Sequence, residues 1–386
     1  MRIAQVHNTY QVKGGEDRVV ELERALLAYH GHEVLQYLVS NDEISGLKKK
    51  AATMLASPYS RQARAALGLW LAREKPDIVH VHNFFPLLSP SIYDACADAG
   101  VAVVQTLHNF RTLCAGTLLL RDGKYCDACV GRLPFRGIVH RCYRGSLPGS
   151  MAVAGMVMSY RRQRHRVQRF IALSAFARDI FVRAGLPAER IALKPNFVSD
   201  PGTPPAGPRS GGLYVGRLSQ EKGIDQLVSA WEGIDQTLQI AGTGPLEEAL
   251  RARAPRSAVF RGWMQADAIR AQMWRSAFLV APSLSTEQFP MALAEAFSCG
   301  LPVITSRSEA LEEIVTEGET GLLCAPGDVG ELRAKIHWAL DHPQDMARMG
   351  EAARDCYAAR YSDQTNYEML MRIYDEAKRE MAQATS

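Results

Sequence analysis

Apolar and polar positions along this 386-residue chain alternate between two rhythms, short β-like runs and longer stretches with helical spacing, in regular succession. Met1 to Asn8 reads as a first strand. Behind the Gly14-Gly15 pair, Val19, Val20, Leu22, Leu26 and Leu27 fall on one side of a helix, with Glu16 and Asp17 suiting its dipole and Gly31 ending it. His32 to Val39 is the next strand. An apolar-basic stretch follows, with Lys48-Lys49-Lys50 and then Leu55 to Leu71 among Arg61, Arg64 and Arg73; it predicts a helix suited to packing on its own sheet or lying in a membrane interface. Strands are expected again at Asp77 to His82, Val101 to Leu107, Phe170 to Leu173 and Ile191 to Lys194, and Ser174 is placed to cap a helix.

The Pro/Gly run Pro201 to Pro208 reads as a linker, after which the alternation restarts. Leu213 to Val215, Leu238 to Ala241, Val259-Phe260, Ala277 to Ala281, Leu301 to Thr305 and Gly321 to Leu323 are the strand-like runs of the second half, and Ser362 to about Met381 reads as a final helix. Such succession predicts α/β architecture with parallel, doubly wound sheets. The domains expected are residues 1–198, with a Cys-rich insertion at about 110–145, residues 209–361, and a terminal helix over 362–386.

The chemistry concentrates at Glu287-Gln288-Phe289-Pro290-Met291-Ala292-Leu293-Ala294-Glu295. A strand leaves its sheet just before it, and Pro290 suits the first position of a helix beginning near Phe289 or Pro290. Free N–H groups at that helix start make an anion site matched to a phosphate. Carboxylates do not bind phosphate, so Glu287 and Glu295 would take neutral hydroxyls on either side of it, a sugar for one and ribose for the other.

Gly216-Arg217-Leu218-Ser219-Gln220-Glu221-Lys222-Gly223, Gly242-Thr243-Gly244-Pro245 and the Glu287–Glu295 segment occur in that order, each behind a strand-like run. Together they resemble the retaining glycosyltransferases of family 4, whose GT-B fold sets two Rossmann-like domains facing across a cleft. The resemblance implies that Arg217 and Lys222 hold a donor diphosphate, that Glu287 lies near the donor sugar hydroxyls and Glu295 near the ribose, and that His108 lies near the donor sugar. It also implies donor contact at Gly14, Gly15, Gly242, Gly244, Phe289, Pro290, Met291 and Ala292, and a terminal helix crossing back onto the first domain. The family often has Gly-Phe-Gly after its first Glu, where this chain has Gln288-Phe289-Pro290; the departure bears on donor identity.

The implied partners are a UDP- or GDP-sugar donor and a glycan or polyprenyl-diphosphate-linked acceptor. Retention is likewise an implication of the family. Arg217, Lys222 and the helix start would stabilise a departing diphosphate without a divalent metal, and the chain has no Asp-x-Asp pair to hold one. The alternative is a nucleotide-sugar 2-epimerase of the same fold, which shares donor binding and needs no acceptor.

Composition adds two points. No apolar run approaches the ~20 residues a bilayer crossing needs, and Met1 to Val6 reads as a strand and not as a leader, so a cytoplasmic protein is expected. The net charge is +4, but residues 121–169 hold eleven Arg or Lys against Asp122 and Asp127, a local +9 that leaves −5 elsewhere. A basic segment in a near-neutral chain suggests an acidic partner surface, such as anionic lipid on the inner face of the membrane or a polyanionic acceptor. A nucleic-acid binder would leave the second half unexplained, so no nucleic-acid partner is expected.

Inside the basic segment's approach lies Cys114-x11-Cys126-x2-Cys129-x12-Cys142. Four thiolates at this spacing can hold a structural zinc that pins a loop poor in apolar residues; free thiols and disulfides are the alternatives. The other four cysteines are scattered.

Overall fold

The computed structural model of the protein describes residues 1–11, 14–205 and 207–385. The first half contains β1 (Arg2–Thr9), β2 (Glu33–Ser40), β3 (Ile78–Asn83), β4 (Ala102–Thr106), the two-residue strands β5 (Leu120–Arg121) and β6 (Lys124–Tyr125), β7 (Arg169–Ala172) and β8 (Ile191–Leu193). Apart from the β5-β6 hairpin, these form one sheet in the order β2-β1-β3-β4-β7-β8, every pair parallel. The second half contributes β9 (Gly212–Val215), β10 (Leu238–Ala241), β11 (Ala258–Gly262), β12 (Phe278–Ala281), β13 (Val303–Ser306) and β14 (Gly321–Cys324). They form a parallel sheet in the order β11-β10-β9-β12-β13-β14. Both sheets are doubly wound, as the alternating rhythms predict.

The chain divides into two compact units, residues 1–121, 125–195 and 366–386 in one, and residues 122–124 and 196–365 in the other. In the first unit, all six residues of β3 are buried, as in a parallel strand covered on both faces. Helix α1 (Gly15–Tyr29) buries Val19, Val20, Leu22, Leu26 and Leu27, the face that its spacing predicts. The apolar-basic stretch after β2 is two helices, α2 (Gly46–Ala56) and α3 (Arg61–Glu74), with Pro58 between them and Ser60 capping α3 through the Ala63 amide. Leu67 and Leu71 of α3 join the core of the first unit, whereas α2 buries none of its residues and leaves Leu47 and Leu55 exposed beside its three lysines.

The basic segment hides a helix that charge alone does not suggest, Leu147–Gln163, capped by Ser146. Val153, Met156, Val157 and Tyr160 recur on it at helical spacing and are buried. The terminal helix runs over Asp363–Thr385, and its Tyr374 hydroxyl lies 2.8 Å from His80 Nδ1 in the middle of the first sheet. No helix among the described residues is long and apolar enough to cross a membrane.

Candidate functional site

In open parallel sheets ligands settle beyond the carboxyl ends of the strands, where the strand order reverses. In the second sheet that point lies between β9 and β12. Both predicted loops leave from these strands, Gly216–Gly223 from β9 and Pro282–Pro290 from β12.

The loops are stitched together by backbone. The Glu221 carbonyl accepts from the amides of Leu284 (2.9 Å) and Ser285 (3.2 Å) and from the Ser283 hydroxyl (3.2 Å). Such contact requires glycine at 223, whose φ is +68° and where a Cβ would stand 1.8 Å from the Pro282 carbonyl oxygen. Gly242 and Gly244 have the same kind of reason. A Cβ at either would strike Gly216 O (1.9 Å) or Leu218 O (2.4 Å), while Leu218 N donates to Thr243 O at 3.0 Å. The structure therefore gives these two glycines a packing role that holds the Arg217 loop in place.

Within this frame Lys222 Nζ lies 2.6 Å from Glu287 Oε2, and the Ser283 hydroxyl donates to Glu287 Oε1. The structure thus joins one predicted cation to one predicted acid. Arg217 is exposed, its turn fixed by the Tyr214 hydroxyl donating to its carbonyl at 2.8 Å. Its guanidinium has no hydrogen bond or ion pair among the described residues. Burial, then the charges of Glu287 and Glu221, push the Tyr214 hydroxyl well above its ordinary range.

The helix after this loop spans Met291–Ser298, one residue later than predicted, because Pro290 takes the N-cap in extended geometry. Met291 and Ala292 open its first turn, and Glu295 stands one turn on, partly buried. Phe289 is buried against the Tyr361 ring, 5.1 Å between centroids. Gln288 is 5% exposed, yet neither of its amide atoms finds a hydrogen-bond partner. A buried, unsatisfied amide beside Glu287 is costly unless something else meets it.

In the first sheet the order reverses between β1 and β3. Gly14 caps α1 in extended backbone, its N–H donating to Asp17 Oδ2 at 2.8 Å. A Cβ at Gly14 would meet nothing nearer than Asp17 Oδ2 at 4.0 Å, so the chain's own packing does not demand glycine there. Gly15 is the exposed first residue of the helix. Burial raises the Asp17 carboxyl, but hydrogen bonds from His7 (2.9 Å), Gly14 and Tyr10 outweigh it and hold it below its ordinary value.

His108, at the end of β4, has Nε2 3.0 Å from His82 Nδ1 on β3. His82 Nε2 in turn lies 3.5 Å from Glu23 Oε2, on α1. Burial holds His80 and His82 well below the usual imidazole value, and His108 below it despite Glu16 and Glu23. The rings are therefore neutral at pH 7. His82 Nε2 and Glu23 Oε2 face each other at that distance without a hydrogen bond to any described residue, while His82 Nδ1 and His108 Nε2 share one hydrogen bond, one ring donating and the other accepting.

Sequence reading missed most of this network. Glu23 is fully buried and salt-bridged to Lys194 at 2.9 Å, whose ammonium also donates to Asn366 Oδ1 at 3.1 Å. For Glu23 burial pushes the carboxyl up, and Lys194 and His82 bring it below its ordinary value. A signal was present: Glu23 sits on the apolar stripe of α1, four residues after Val19 and four before Leu27. Near His108, Asn109 donates to Glu16, the Tyr10 hydroxyl donates to Glu16 at 2.8 Å, and half-buried Arg111 reaches that hydroxyl at 3.1 Å.

The four clustered cysteines are unpaired, Cys129 buried and Cys114, Cys126 and Cys142 half-buried. Burial raises the Cys142 thiol, and the neighbouring thiols of Cys114, Cys129 and Cys126 act in the same direction.

Two family descriptions match the chain, "Glycosyltransferase Family 4" over residues 12–200 and "Glycosyl transferases group 1" over residues 210–342. Among curated proteins it is 34% identical over 177 residues to a glycogen synthase of Mycobacterium tuberculosis, covering 43% of this chain and 42% of that protein. It is 33% identical over 151 residues to the D-rhamnosyltransferase WbpZ of Pseudomonas aeruginosa, covering 38% and 40%. The match thus spans about two-fifths of the length of these relatives. Among solved structures, Anabaena HepE in complex with UDP and glucose has a TM-score of 0.71 at 17% identity, covering 97% of this chain and 100% of that one. A sucrose-phosphate synthase from Thermosynechococcus elongatus has 0.71 at 17%, covering 97% and 98%.

Proposed function

Because the chain belongs to the family 4-type glycosyltransferases of GT-B fold, we propose that it moves a hexosyl group from a nucleotide-diphosphate sugar to a glycan or lipid-linked acceptor, with retention at the anomeric carbon. The observation that carries this reading is the Lys222–Glu287 pair at the β9/β12 switch point, with Arg217, unpartnered among the described residues, on the same loop as Lys222. A cation on its own suits many anions, but cations and an acid beside a helix start suit a diphosphate that carries a sugar. The relatives support it: one is named a GDP-mannose-dependent mannosyltransferase, and HepE was crystallised with UDP-glucose. The 2-epimerase alternative gains nothing from relatives named as transferases.

In this reading Arg217, Lys222 and the amides of Met291 and Ala292 take up charge on the departing diphosphate. Lys222 exchanges one carboxylate for a more highly charged group. Glu287, held by Ser283, then accepts from a sugar hydroxyl, and Glu295 from the ribose. The acceptor oxygen attacks the anomeric carbon on the face the phosphate leaves, the carbon–oxygen bond to phosphate breaks, and the acceptor proton passes to a phosphate oxygen. The products are a glycoside and a nucleoside diphosphate.

The first unit supports an acceptor at an anionic membrane surface. Exposed Leu47 and Leu55 accompany Lys48, Lys49 and Lys50 on α2, and exposed Phe135, Val139 and Met151 accompany Arg136, Arg141 and Arg144. Apolar side chains set among cations suit anionic headgroups.

A panel of UDP- and GDP-sugars screened by thermal shift tests the donor site, since a true donor stabilises the native state by mass action. Stabilisation by one nucleotide sugar, lost in Arg217→Ala, is expected. No shift with any donor, or an equal shift in the variant, would sink the reading.

A further inference from the structure

The segment between β4 and the helix Leu147–Gln163 sends Phe110, Leu113, Ala115, Leu119 and Val130 into the core of the first unit but has little regular structure of its own. It consists of a turn at Phe110–Thr112, the two-residue strands β5 and β6, and a five-residue helix at Phe135–Val139. It also carries an unusual share of strained backbone. Of the seven non-glycine residues with positive φ among the described residues, five lie here: Thr117, Leu119, Asp122, Arg141 and Arg144. Backbone of that kind persists only where its surroundings hold it.

The cysteines stand at the joints of this segment. Cys114 N donates to Phe110 O (2.8 Å), Cys126 N to Leu119 O (2.8 Å) and Cys142 N to Gly137 O (2.9 Å). Cys142 has Cys114, Cys129 and Cys126 around it, and Cys114 has Cys129 as a further neighbour. Gly116 lies between two of them; a Cβ there would be 3.8 Å from Cys114 Sγ and 3.7 Å from Cys142 Cβ. The backbone amides of Leu119, Gly116 and Thr117 point at the Cys114 sulfur.

We propose that Cys114, Cys126, Cys129 and Cys142 together bind one structural zinc ion, which staples the segment running on from His108 through Arg111. Four thiolates leave the centre with a net charge of about −2, and Arg121 beside Cys142 belongs to the basic stretch that offsets it. The sulfurs are spread wider than the 4.8 Å that encloses the ligand atoms of Glu23, His80 and His82, so the ion draws the joints together. That second group takes no metal, because the Lys194 ammonium already supplies its cation at 2.9 Å from Glu23. The staple's other end is chemical: the Phe110–Thr112 turn that Cys114 closes carries Arg111, which holds the Tyr10 hydroxyl.

The test is a metal count on the full chain, which needs no donor and so stands or falls apart from the transferase reading. Purified protein given excess zinc and desalted is expected to keep about one zinc per chain. Cobalt in its place is expected to show the intense thiolate-to-metal absorption of a tetrahedral sulfur site. Cys129→Ser and Cys126→Ser should each lose the band and most of the zinc, and Cys356→Ser neither. Folded wild-type protein that keeps no zinc would overturn the proposal. So would an unreduced intact mass lowered by the hydrogens that two disulfides remove, or a cobalt spectrum without the thiolate band.

Discussion

The two strand-end sites solve the same problem by opposite means. In the second unit, short contiguous loops are brought together because Gly223, Gly242 and Gly244 let backbone touch backbone, and the charged groups stay partly exposed, Lys222 at 33% and Glu287 at 17%. In the first, His80, His82, Glu23 and Lys194 come from β3, α1 and the residue after β8 and are almost wholly buried. Burying ions is expensive unless each is paired, so the first site is held by the Lys194–Glu23 pair, although Glu23 Oε2 and His82 Nε2 find no hydrogen bond among the described residues, and the second is held by close backbone approach. The lesson is that the polar groups proposed to meet a ligand are left open, while the ionised groups inside the first unit are sealed.

Breaking the sealed side should have the largest effect. Glu23→Ala leaves the Lys194 ammonium buried without its carboxylate, and a loss of about 3–5 kcal/mol is expected in urea unfolding; a change under ~1 kcal/mol would show that the network is not paired as described. On the open side, Arg217→Ala and Lys222→Ala should leave the fold intact by circular dichroism and lower turnover by about 10²–10³-fold. Ordinary turnover in both would remove the anion site.

Gly223→Ala should cost about 2 kcal/mol or more, from its left-handed backbone and the Pro282 carbonyl in its way, and a thermal melt reads it directly. Acid should separate the two units. His80 and His82 have folded values below the ordinary 6.5, so the unfolded chain binds protons first, and their contribution is complete above about 6.5 and declines as pH falls below it. Glu23, depressed below 4.5, adds its loss at lower pH as its own folded value is crossed. Hydrogen exchange at pH 7 and pH 5 should show β3 and β4 losing protection before β9 and β12; equal loss would erase the contrast.

The smallest expected effect on stability is at Gln288. Gln288→Leu removes a buried amide that bonds nothing among the described residues, so stability should hold or rise by up to about 1 kcal/mol while preference among nucleotide sugars shifts. Destabilisation with unchanged preference would make Gln288 a structural residue.

The second site was largely legible because its parts are contiguous. A strand, a Gly-bounded loop and a helix start each leave a local pattern, and Lys222 and Glu287 fell where those patterns place them. What could not be read there is the packing that requires Gly242 and Gly244, since a glycine needed by a ligand and one needed by a neighbouring carbonyl look alike in one dimension. The first site was legible only at His82 and His108, which end expected strands. Glu23 passes for one more acid on a helix until the packed face of α1 is known, and Lys194, Asn366 and Tyr374 lie from 171 to 351 positions away from it in the chain. In the same way, Ser146, Val153 and Tyr160 signalled a helix that the neighbouring arginines obscured.

By itself the sequence determined the succession of strands and helices, the two parallel sheets, and which loops leave toward a ligand, because hydrophobic period and glycine placement act over a few residues at a time. Tertiary structure alone decided that a lysine and a glutamate 65 positions apart form a pair, and that a carboxylate from α1 is buried between Lys194 and two imidazoles of β3. Those outcomes depend on which surfaces lose water together, and that is a property of the packed chain.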